Sequence, residues 1–283
     1  MWVVVVFNTK GGVGKTTLIA NLGGLAADAG LRVLMLDLDT QPTLSSYYEL
    51  VRQASSGTYE LLANNERNFE RLISQTQIPG LDLIVSNDPF GQLNTLLMHA
   101  PDGRLRLRNL LQTFQDQYDL LLIDTQGARN VLLEMALLAA DLAVSPVIPE
   151  ILAARELHRG TLQLLEDIAP YYQLGIHPPP LHLLLNRVHP VSSDARQIQQ
   201  ALREMLADRP GVQVMHTTVP AIDAYPRAAT HQWPVHRIER RKPAQRQAPA
   251  ALDTLRALAT ELLPVWADRF ALVNGRGGFR HVR

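Results

Sequence analysis

The chain has 283 residues, and its 27 basic and 27 acidic side chains give a formal net charge of +0; this length supports a sizeable core, and the neutral balance gives no global attraction to nucleic acid or membrane. The sequence contains 0 cysteines, which excludes disulfides, cysteine-ligated zinc and iron–sulfur clusters. It has no run of about 18 apolar residues and its first apolar stretch is too short for a signal-peptide core, so we expect a soluble, cytoplasmic, globular protein.

Short apolar runs alternate with helical patterns along the chain. The runs lack the strict alternation of half-exposed strands, so they predict strands that are buried on both faces. These strands are predicted over residues 3–7, 32–39, 81–86, 118–124, 141–148, 181–188 and 212–219. Helices are predicted over residues 15–30, 104–117, 152–170, 192–211 and 250–263. This rhythm is typical of an α/β fold with a single doubly wound, mostly parallel sheet flanked by helices.

The same pattern predicts one domain and a tail. We expect the domain to cover residues 1–265, with a basic, proline-rich loop region over 227–249 and a final helix over 250–263. Residues 266–283 end in a segment rich in glycine and arginine, which predicts a flexible C-terminal tail.

Residues 8–17, NTKGGVGKTT, join the first predicted strand to the first predicted helix. A glycine-rich turn in this position lets backbone N–H groups and the helix N-terminus face phosphate oxygens. Lys15 is expected to reach the β- and γ-phosphates of a nucleotide, and Thr16 to bind Mg²⁺ through its hydroxyl. The residues predicted to cradle the phosphates are Gly11, Gly12, Val13, Gly14, Lys15, Thr16 and Thr17.

The motif departs from the pattern G-x-x-x-x-G-K-[ST], because Thr9 replaces the first glycine and a second lysine, Lys10, precedes the others. KGGVGKTT resembles the deviant Walker A motif of the ParA/MinD family of P-loop ATPases, which carries a signature lysine at the position of Lys10. The resemblance implies that ATP induces a sandwich homodimer and that Lys10 reaches the phosphates of the ATP bound by the partner. The alternative for Lys10 is an ordinary solvated loop lysine.

Two carboxylates, Asp37 and Asp39, follow the second predicted strand at the sheet edge where ligands bind in open α/β folds. Carboxylates beside a phosphate loop indicate the handling of Mg²⁺ and water. The family has D-x-D-P-Q-G-N here, and the resemblance implies that Asp39 positions the attacking water while Asp37 lies near Mg²⁺. The alternative is that one of them caps the strand end. The implied catalytic set is Lys10, Lys15 and Asp39.

The loop after Asp39 departs from the family pattern. Thr40 stands in place of the proline, and Pro42 and Thr43 replace the glycine and asparagine. With these changes the sequence is most similar to ParA-like proteins of integrative conjugative elements or genomic islands.

Asp124 ends the predicted strand YDLLLID, which resembles a Walker B strand. Such an aspartate holds Mg²⁺ through a water molecule, so the predicted metal-binding residues are Thr16, Asp37 and Asp124. The alternative for Asp124 is an aspartate that starts a loop. Many ParA relatives continue D-x-P-P, whereas this chain continues with Thr125, Gln126 and Gly127. Gly127 is expected to allow a switch-like turn.

The predicted base site lies at the end of a late strand, where Asn186 and Arg187 follow the run LLL. An asparagine amide can recognise adenine, and the family often has an asparagine at this place. Pro220, after the next strand, resembles the other wall of the base site. The alternative for Asn186 is an ordinary turn residue at a strand end.

Basic residues outnumber acidic ones from Arg227 to the end of the chain. In the family, basic residues of this region bind DNA without sequence preference across the ATP-bound dimer, and counterion release would provide the affinity. The alternative is a solvated charged loop. The predicted DNA-binding residues are Arg237, Arg240, Arg241, Lys242 and Arg246.

The resemblance covers residues 2–265 and implies a partitioning ATPase with the P-loop NTPase fold. Slow, Mg²⁺-dependent hydrolysis, stimulated by a ParB-like partner, would release the dimer from DNA. The expected location is the cytoplasm, on the nucleoid, with no stable membrane association. Because the phosphate loop starts almost at Met1, we expect no helix-turn-helix ahead of it, which resembles the short ParA type.

Two alternatives remain at this point. A MinD-like membrane-positioning ATPase needs a C-terminal amphipathic helix; Trp266, Phe270 and Phe279 lie there among arginines, but Pro264 and several glycines interrupt the pattern. An ATP-gated scaffold that binds nucleotide but barely hydrolyses it is the non-enzymatic alternative, against which Asp39 argues.

Overall fold

The computed structural model describes residues 1–150, 157–189 and 193–276. The strands in this part of the chain are β1 (Trp2–Val6), β2 (Val33–Asp37), β3 (Leu50–Arg52), β4 (Ser74–Thr76), β5 (Leu81–Ile84), β6 (Leu120–Asp124), β7 (Leu142–Val147), β8 (Leu181–Leu185) and β9 (Val212–Val214). They form one sheet in the order β3-β4-β5-β2-β6-β1-β7-β8-β9. Pairing is parallel from β5 to β9 across the sheet and antiparallel where β4 pairs with β3 and β5.

The described α-helices flank this sheet. They are α1 (Lys15–Asp28), α2 (Thr58–Ala63), α3 (Phe69–Leu72), α4 (Gln92–His99), α5 (Arg106–Leu110), α6 (Val131–Ala139), α7 (Gln163–Ile168), α8 (Ser193–Leu206), α9 (Ala224–Thr230), α10 (Val235–Ile238), α11 (Ala251–Leu262) and α12 (Ala267–Leu272). The predicted fold class, a doubly wound and mostly parallel sheet between helices, is confirmed.

The hydrophobic core lies on both faces of the sheet. Along β1, Val3 and Val5 pack into one layer, whereas Val4 and Val6 pack into the other. Both faces are apolar because helices cover both, and this explains why the strands lack a polar alternation. Helix α1 packs into the second layer and α6 into the first.

The observed elements differ from the predicted ones in several places. Strands β3 and β4 are absent from the sequence-based prediction because they are three residues long and lie at the antiparallel edge. The helix predicted over 104–117 is shorter, since α5 passes into a 3₁₀ turn at Leu111–Phe114. Of the helix predicted over 152–170, residues 151–156 lie outside the described part; the rest contains a π-helical turn (His158–Leu162) and α7.

The predicted flexible tail needs correction. Residues 266–276 continue from α11 through a 3₁₀ turn into α12, and Phe270 and Val273 are buried in the second core layer. The reason is that these two apolar side chains pack with α11, which a composition of glycine and arginine does not reveal. Residues 277–283 lie outside the described part. Among the described helices, none is both long and apolar enough to cross a membrane.

Candidate nucleotide-binding site

The loop of residues 7–14, here called the phosphate loop, joins β1 to α1. Gly12 and Gly14 have φ angles of 74° and 94°, a left-handed conformation that residues with side chains rarely adopt. Helix α1 begins directly after Gly14, so its first N–H groups and the positive end of its dipole face this loop. The loop therefore has the geometry of an anion-binding turn.

Two asparagine side chains hold the phosphate loop in place. Asn8 Oδ1 accepts from the backbone N–H of Lys10 at 2.8 Å, and Asn8 Nδ2 donates to the carbonyl of Pro146 in β7 at 3.0 Å. From the end of β8, Asn186 Nδ2 donates to the carbonyl of Val13 at 2.7 Å. The loop conformation is thus supported by two neighbouring strands.

A cavity of about 440 Å³, here called the phosphate cavity, opens beside this loop at the carboxyl ends of β2 and β6. It collects predicted site residues from distant parts of the chain. Its walls are formed by Gly11, Gly12, Gly14, Lys15, Thr16, Thr17, Asp39, Gln41, Thr43, Gln126, Gly127, Ala128 and Arg187.

Asp124 is fully buried at the end of β6, opposite Asp37 of β2 in the strand register. Burial, followed by the nearby negative charge of Asp37, raises the pKa of Asp124 to about 7. The hydroxyl of Thr16 donates to Asp124 Oδ2 at 2.6 Å. A buried carboxylate with a raised pKa next to a hydroxyl is suited to receive a cation.

Asp37 is also fully buried, but its own loop occupies both of its oxygens. Oδ1 accepts from the backbone N–H of Asp39 at 3.1 Å, and Oδ2 accepts from the N–H and hydroxyl of Ser45 at 2.8 and 2.7 Å. Burial raises the pKa of Asp37 to about 6. The observed contacts make Asp37 a clamp for the loop after β2, while its predicted place near Mg²⁺ stays a prediction.

The donor set fits a magnesium nucleotide. Carboxylate and hydroxyl oxygens at Thr16 and Asp124 are the hard ligands that Mg²⁺ prefers. Burial lowers the pKa of Lys15, although the charges of Asp124 and Asp39 oppose that shift. The described residues hold no cluster of three or more His, Asp or Glu that would complete a metal site by itself. The remaining ligands would therefore be phosphate oxygens and water.

Asp39 lines the phosphate cavity, and its backbone is fixed on both sides. Its N–H donates to Asp37, and its carbonyl accepts from the hydroxyl of Ser86, after β5, at 2.6 Å. Its carboxylate oxygen Oδ1 accepts from the N–H of Gln41 at 3.0 Å. The predicted water-positioning carboxylate is therefore held at the cavity wall.

Lys10 has an acidic partner within its own chain. Its Nζ lies 3.2 Å from Oε2 of Glu150, and 43% of the lysine side chain is exposed. An exposed ion pair of this kind is weak, so it leaves Lys10 able to exchange partners. Its predicted contact with ATP of a second subunit stays a prediction.

The predicted base site coincides with a second cavity of about 500 Å³, here called the base cavity. Gly14, Thr17 and Arg187 line both cavities, so the two adjoin. Asn186 and Pro220 both line the base cavity, together with His189 and Asp223, which sequence reasoning missed. The amide of Asn186 is however engaged with the phosphate loop, so its contact with adenine stays a prediction.

Glu261 of α11 supports the wall of the base cavity and was also missed. Its carboxylate accepts from the backbone N–H groups of His216 and Thr217 at 2.6 and 2.8 Å, in the segment that leads to Pro220. Burial raises the pKa of Glu261, but these hydrogen bonds lower it below its ordinary value. No local signal identifies this glutamate, because its partners lie about 45 residues earlier.

The predicted basic cluster divides into two groups. Arg240, Arg241 and Lys242 are exposed, as a DNA-binding surface requires. Arg237 instead pairs with Asp28 at the end of α1, with Nε 2.8 Å from Oδ2. Arg246 pairs with Glu239.

Arg237 and Arg246 therefore do not belong to the exposed part of the predicted DNA-binding cluster. Arg237 is 12% and Arg246 21% exposed at the side chain, and both hold neighbouring segments together. The reason is that each arginine is partly buried and its charge is offset by a carboxylate of the same chain. For Arg237 that partner lies 209 residues away in the sequence. Their predicted contact with DNA is left without support from this geometry.

Comparisons with known proteins bear on the family to which the chain belongs. A family model described as an AAA domain (AAA_31) matches residues 1–173, more than half of the chain. The uncharacterized protein Rv1708 of Mycobacterium tuberculosis is 26% identical over 279 residues, covering 95% of this chain and 80% of that protein. The chromosome partitioning protein ParA of Caulobacter vibrioides is 32% identical over 169 residues, covering 59% of this chain and 61% of ParA.

Solved structures share the fold. An ATP complex of Cyanothece McdA has a TM-score of 0.71 at 20% identity, covering 100% of this chain and 99% of that one. Cobyrinic acid a,c-diamide synthase from Mycobacterium smegmatis, with ADP and magnesium bound, has a TM-score of 0.67 at 24% identity, covering 82% of this chain and 91% of that one. At these identities the likeness shows the fold alone.

The fold and the phosphate loop define a P-loop NTPase. The chain belongs to the family of the matching AAA-domain model, and it is a ParA-type member of the ParA/MinD family of partitioning ATPases.

Proposed function

We propose that this protein is an ATP-dependent DNA-partitioning ATPase, which binds DNA as an ATP-induced dimer and leaves it after hydrolysis. The observation that carries the proposal is the phosphate cavity, whose lining includes Lys15, Thr16 and Asp39. Asp124 is buried behind this lining and accepts the hydrogen bond of Thr16. This arrangement has a cradle for phosphates, oxygen ligands for a metal and a carboxylate for water.

In the proposed reaction the phosphate loop and Lys15 bind the β- and γ-phosphates, while Thr16 and Asp124 would hold Mg²⁺. When bound, Mg²⁺ supplies positive charge that offsets the charge developing on the phosphates. Asp39 accepts a hydrogen bond from the attacking water and orients it. The base cavity receives adenine between Asn186 and Pro220.

Dimerisation would supply a second cation. Lys10 leaves Glu150 and turns to the phosphates of the partner's ATP, where it neutralises charge that a single subunit leaves exposed. Because this contact exists only with ATP bound between the subunits, it links nucleotide state to dimerisation. A ParB-like partner would stimulate hydrolysis, by ordering the loops around the cavity or by adding positive charge.

The exposed residues Arg240, Arg241 and Lys242 are the proposed DNA contacts. Doubling them in a dimer doubles the number of neutralised phosphates, so affinity should rise steeply with dimerisation and fall with salt. We place the protein in the cytoplasm, associated with the nucleoid. The membrane alternative gains no support from α12, because Phe270 faces the core.

The test is binding to random-sequence duplex DNA in ATP, ADP and no nucleotide over a salt series. Wild type is compared with Lys15→Ala, with Arg240→Ala/Arg241→Ala, and with Arg209→Ala, whose arginine lies outside the basic segment. We expect binding that requires ATP, falls with salt and is lost in the first two variants alone. Equal binding in ATP and ADP, or binding that survives Arg240→Ala/Arg241→Ala, would contradict the proposal.

A further inference from the structure

The loops after β2 and β6 are joined by a hydrogen bond beside the phosphate cavity. Gln126 Nε2 donates to Thr40 Oγ1 at 3.3 Å. Gln126 lines the cavity, and Thr40 directly follows Asp39 in the chain. Both positions are ones where the sequence departs from the pattern of its family, and a proline at either would make this bond impossible.

The orientation of the Gln126 amide follows from its neighbours. Asn130 is the N-cap of α6, and its Oδ1 accepts from the N–H of Leu133 at 2.9 Å. Its Nδ2 must therefore be the donor to Gln126 Oε1, at 3.1 Å. The nitrogen of the Gln126 amide then faces Thr40. The N-cap hydrogen bond of Asn130 thus fixes the orientation of the Gln126 amide. It thereby fixes the direction of the hydrogen bond from Gln126 to Thr40, here called the bridge.

The bridge ends at the hydroxyl of Thr40, the residue directly after Asp39. The carbonyl of Asp39, which belongs to the peptide shared with Thr40, accepts from Ser86 Oγ at 2.6 Å. The N–H of Asp39 donates to Asp37. From the side of β6, the carbonyl of Asp124 accepts from the N–H of Leu38 at 3.0 Å, which holds the start of the loop. The bond from Gln126 adds a restraint from the same side beyond Asp39, at Thr40.

The loop that carries Gln126 also touches the phosphate loop. A Cβ on Gly127 would lie 2.9 Å from Gly11 Cα and 3.0 Å from Gly11 N, so the two backbones are in close contact. Gln126 is therefore placed between the phosphate loop and the loop of Asp39. A shift in either contact would be passed to the other through the side chain of Gln126 and the backbone that joins it to Gly127.

We propose that Gln126 is a positioning residue for Asp39, acting through Thr40. The bridge holds the Asp39 loop at the distance from the phosphate loop that hydrolysis needs. This inference rests on the proposed ATPase activity, in which Asp39 orients water. The amide oxygen of Gln126 accepts from Asn130, and its amide nitrogen donates to Thr40. Gln126 therefore acts on the loop rather than on the reacting atoms.

The first arm of the test compares Gln126→Leu, Thr40→Val and the double variant with wild type. We expect kcat to fall about tenfold in each single variant, because one positioning hydrogen bond is lost. The double variant should be no slower than the singles, because all three lack the same bond. Binding of a fluorescent ATP analogue should be unchanged. The matched control is Gln200→Leu, which removes an exposed glutamine bond on α8.

The second arm measures hydrogen–deuterium exchange of residues 38–46 in the nucleotide-free protein, so it does not depend on turnover. We expect faster exchange there in Gln126→Leu and not in Gln200→Leu. Unchanged exchange over 38–46, or additive losses of kcat in the double variant, would overturn the bridge. If wild type hydrolyses ATP no faster than Lys15→Ala, the proposed activity fails and the role in catalysis falls with it, whereas the exchange result still decides whether the bridge restrains the loop.

Discussion

Replacing Asp124 with asparagine removes a buried negative charge, and we expect the nucleotide-free protein to become more stable at pH 8. The pKa of Asp124 rises from its ordinary 3.8 to about 7 in the folded protein. That difference corresponds to at most about 4 kcal/mol of unfavourable free energy for the ionised form at pH 8. Asparagine carries no charge, so it avoids this free-energy cost.

Part of the gain is lost to hydrogen bonding. The carboxylate accepts from Thr16 Oγ1 and from the N–H of Thr125, at 2.6 and 3.1 Å on different oxygens. Asparagine has one acceptor oxygen, so one of these bonds disappears at a cost of about 1–2 kcal/mol. The net stabilisation should be about 2 kcal/mol, which is about 4–8 °C in Tm for a chain of this size.

The pH dependence follows from the direction of the pKa change. Because Asp124 has a higher pKa folded than unfolded, its contribution favours folding below pH 4 and is lost as pH rises to about 7. The melting temperature of wild type should therefore fall relative to that of Asp124→Asn between pH 5 and pH 8. With ATP and Mg²⁺ the order should reverse, because the variant binds them poorly.

Asp28→Asn is the control with the opposite sign. Burial raises the pKa of Asp28, but hydrogen bonds from Arg237 and His236 lower it to about 2. Its ionised form is therefore stabilising above pH 4, and the variant should lose about 2 kcal/mol at pH 8. If Asp124→Asn is also less stable than wild type at pH 8, the account of Asp124 as an uncompensated buried charge is refuted.

Gly127→Ala should weaken binding of a fluorescent ATP analogue at least tenfold, because its Cβ would collide with the backbone of Gly11; unchanged titration curves would contradict the close contact. Glu261→Ala should weaken the same binding about fivefold by releasing two backbone N–H groups ahead of the base cavity, with little effect on kcat at saturating ATP. Arg237→Ala should lower the free energy of unfolding by about 3 kcal/mol in urea titrations, because the buried carboxylate of Asp28 loses its arginine partner and keeps the hydrogen bond with His236. Arg240→Ala should change that free energy by less than about 0.5 kcal/mol, and equal effects of the two would argue against dividing the basic cluster.

The parallel sheet and the phosphate loop could be predicted because their signals are local. An apolar run, a glycine-rich turn and a helical stretch follow one another in residues 2–28. A phosphate-binding turn is expected only between a strand and a helix, so the three signals support one another. The carboxyl ends of parallel strands share one edge, so Asp39 and Asp124 were expected to meet there. In the structure Asp39 lines the phosphate cavity, and Asp124 lies behind its wall, bonded to Thr16 and close enough to Asp39 to feel its charge.

The remaining features depend on contacts between distant residues. The ion pair of Arg237 with Asp28 turns a residue from a basic run into a structural clamp, and the sequence gives no sign of its partner. Asn186 was predicted to recognise adenine because it lies at a strand end. Its amide instead donates to the carbonyl of Val13, a contact that depends on how β8 lies beside the phosphate loop. Residue type and position predicted the location of these side chains, whereas packing decided their partners.

The most direct test of the central claim is the mass of the protein in solution with each nucleotide. Sedimentation velocity of Asp39→Ala, in which ATP should persist, is compared in ATP and in ADP, both with Mg²⁺, and beside Lys10→Ala/Asp39→Ala. We predict twice the 31.5 kDa chain mass in ATP and a single chain in ADP, with the dimer lost when Lys10 is absent. A single chain in ATP, at concentrations where bound ATP is measured directly, would contradict the proposed switch.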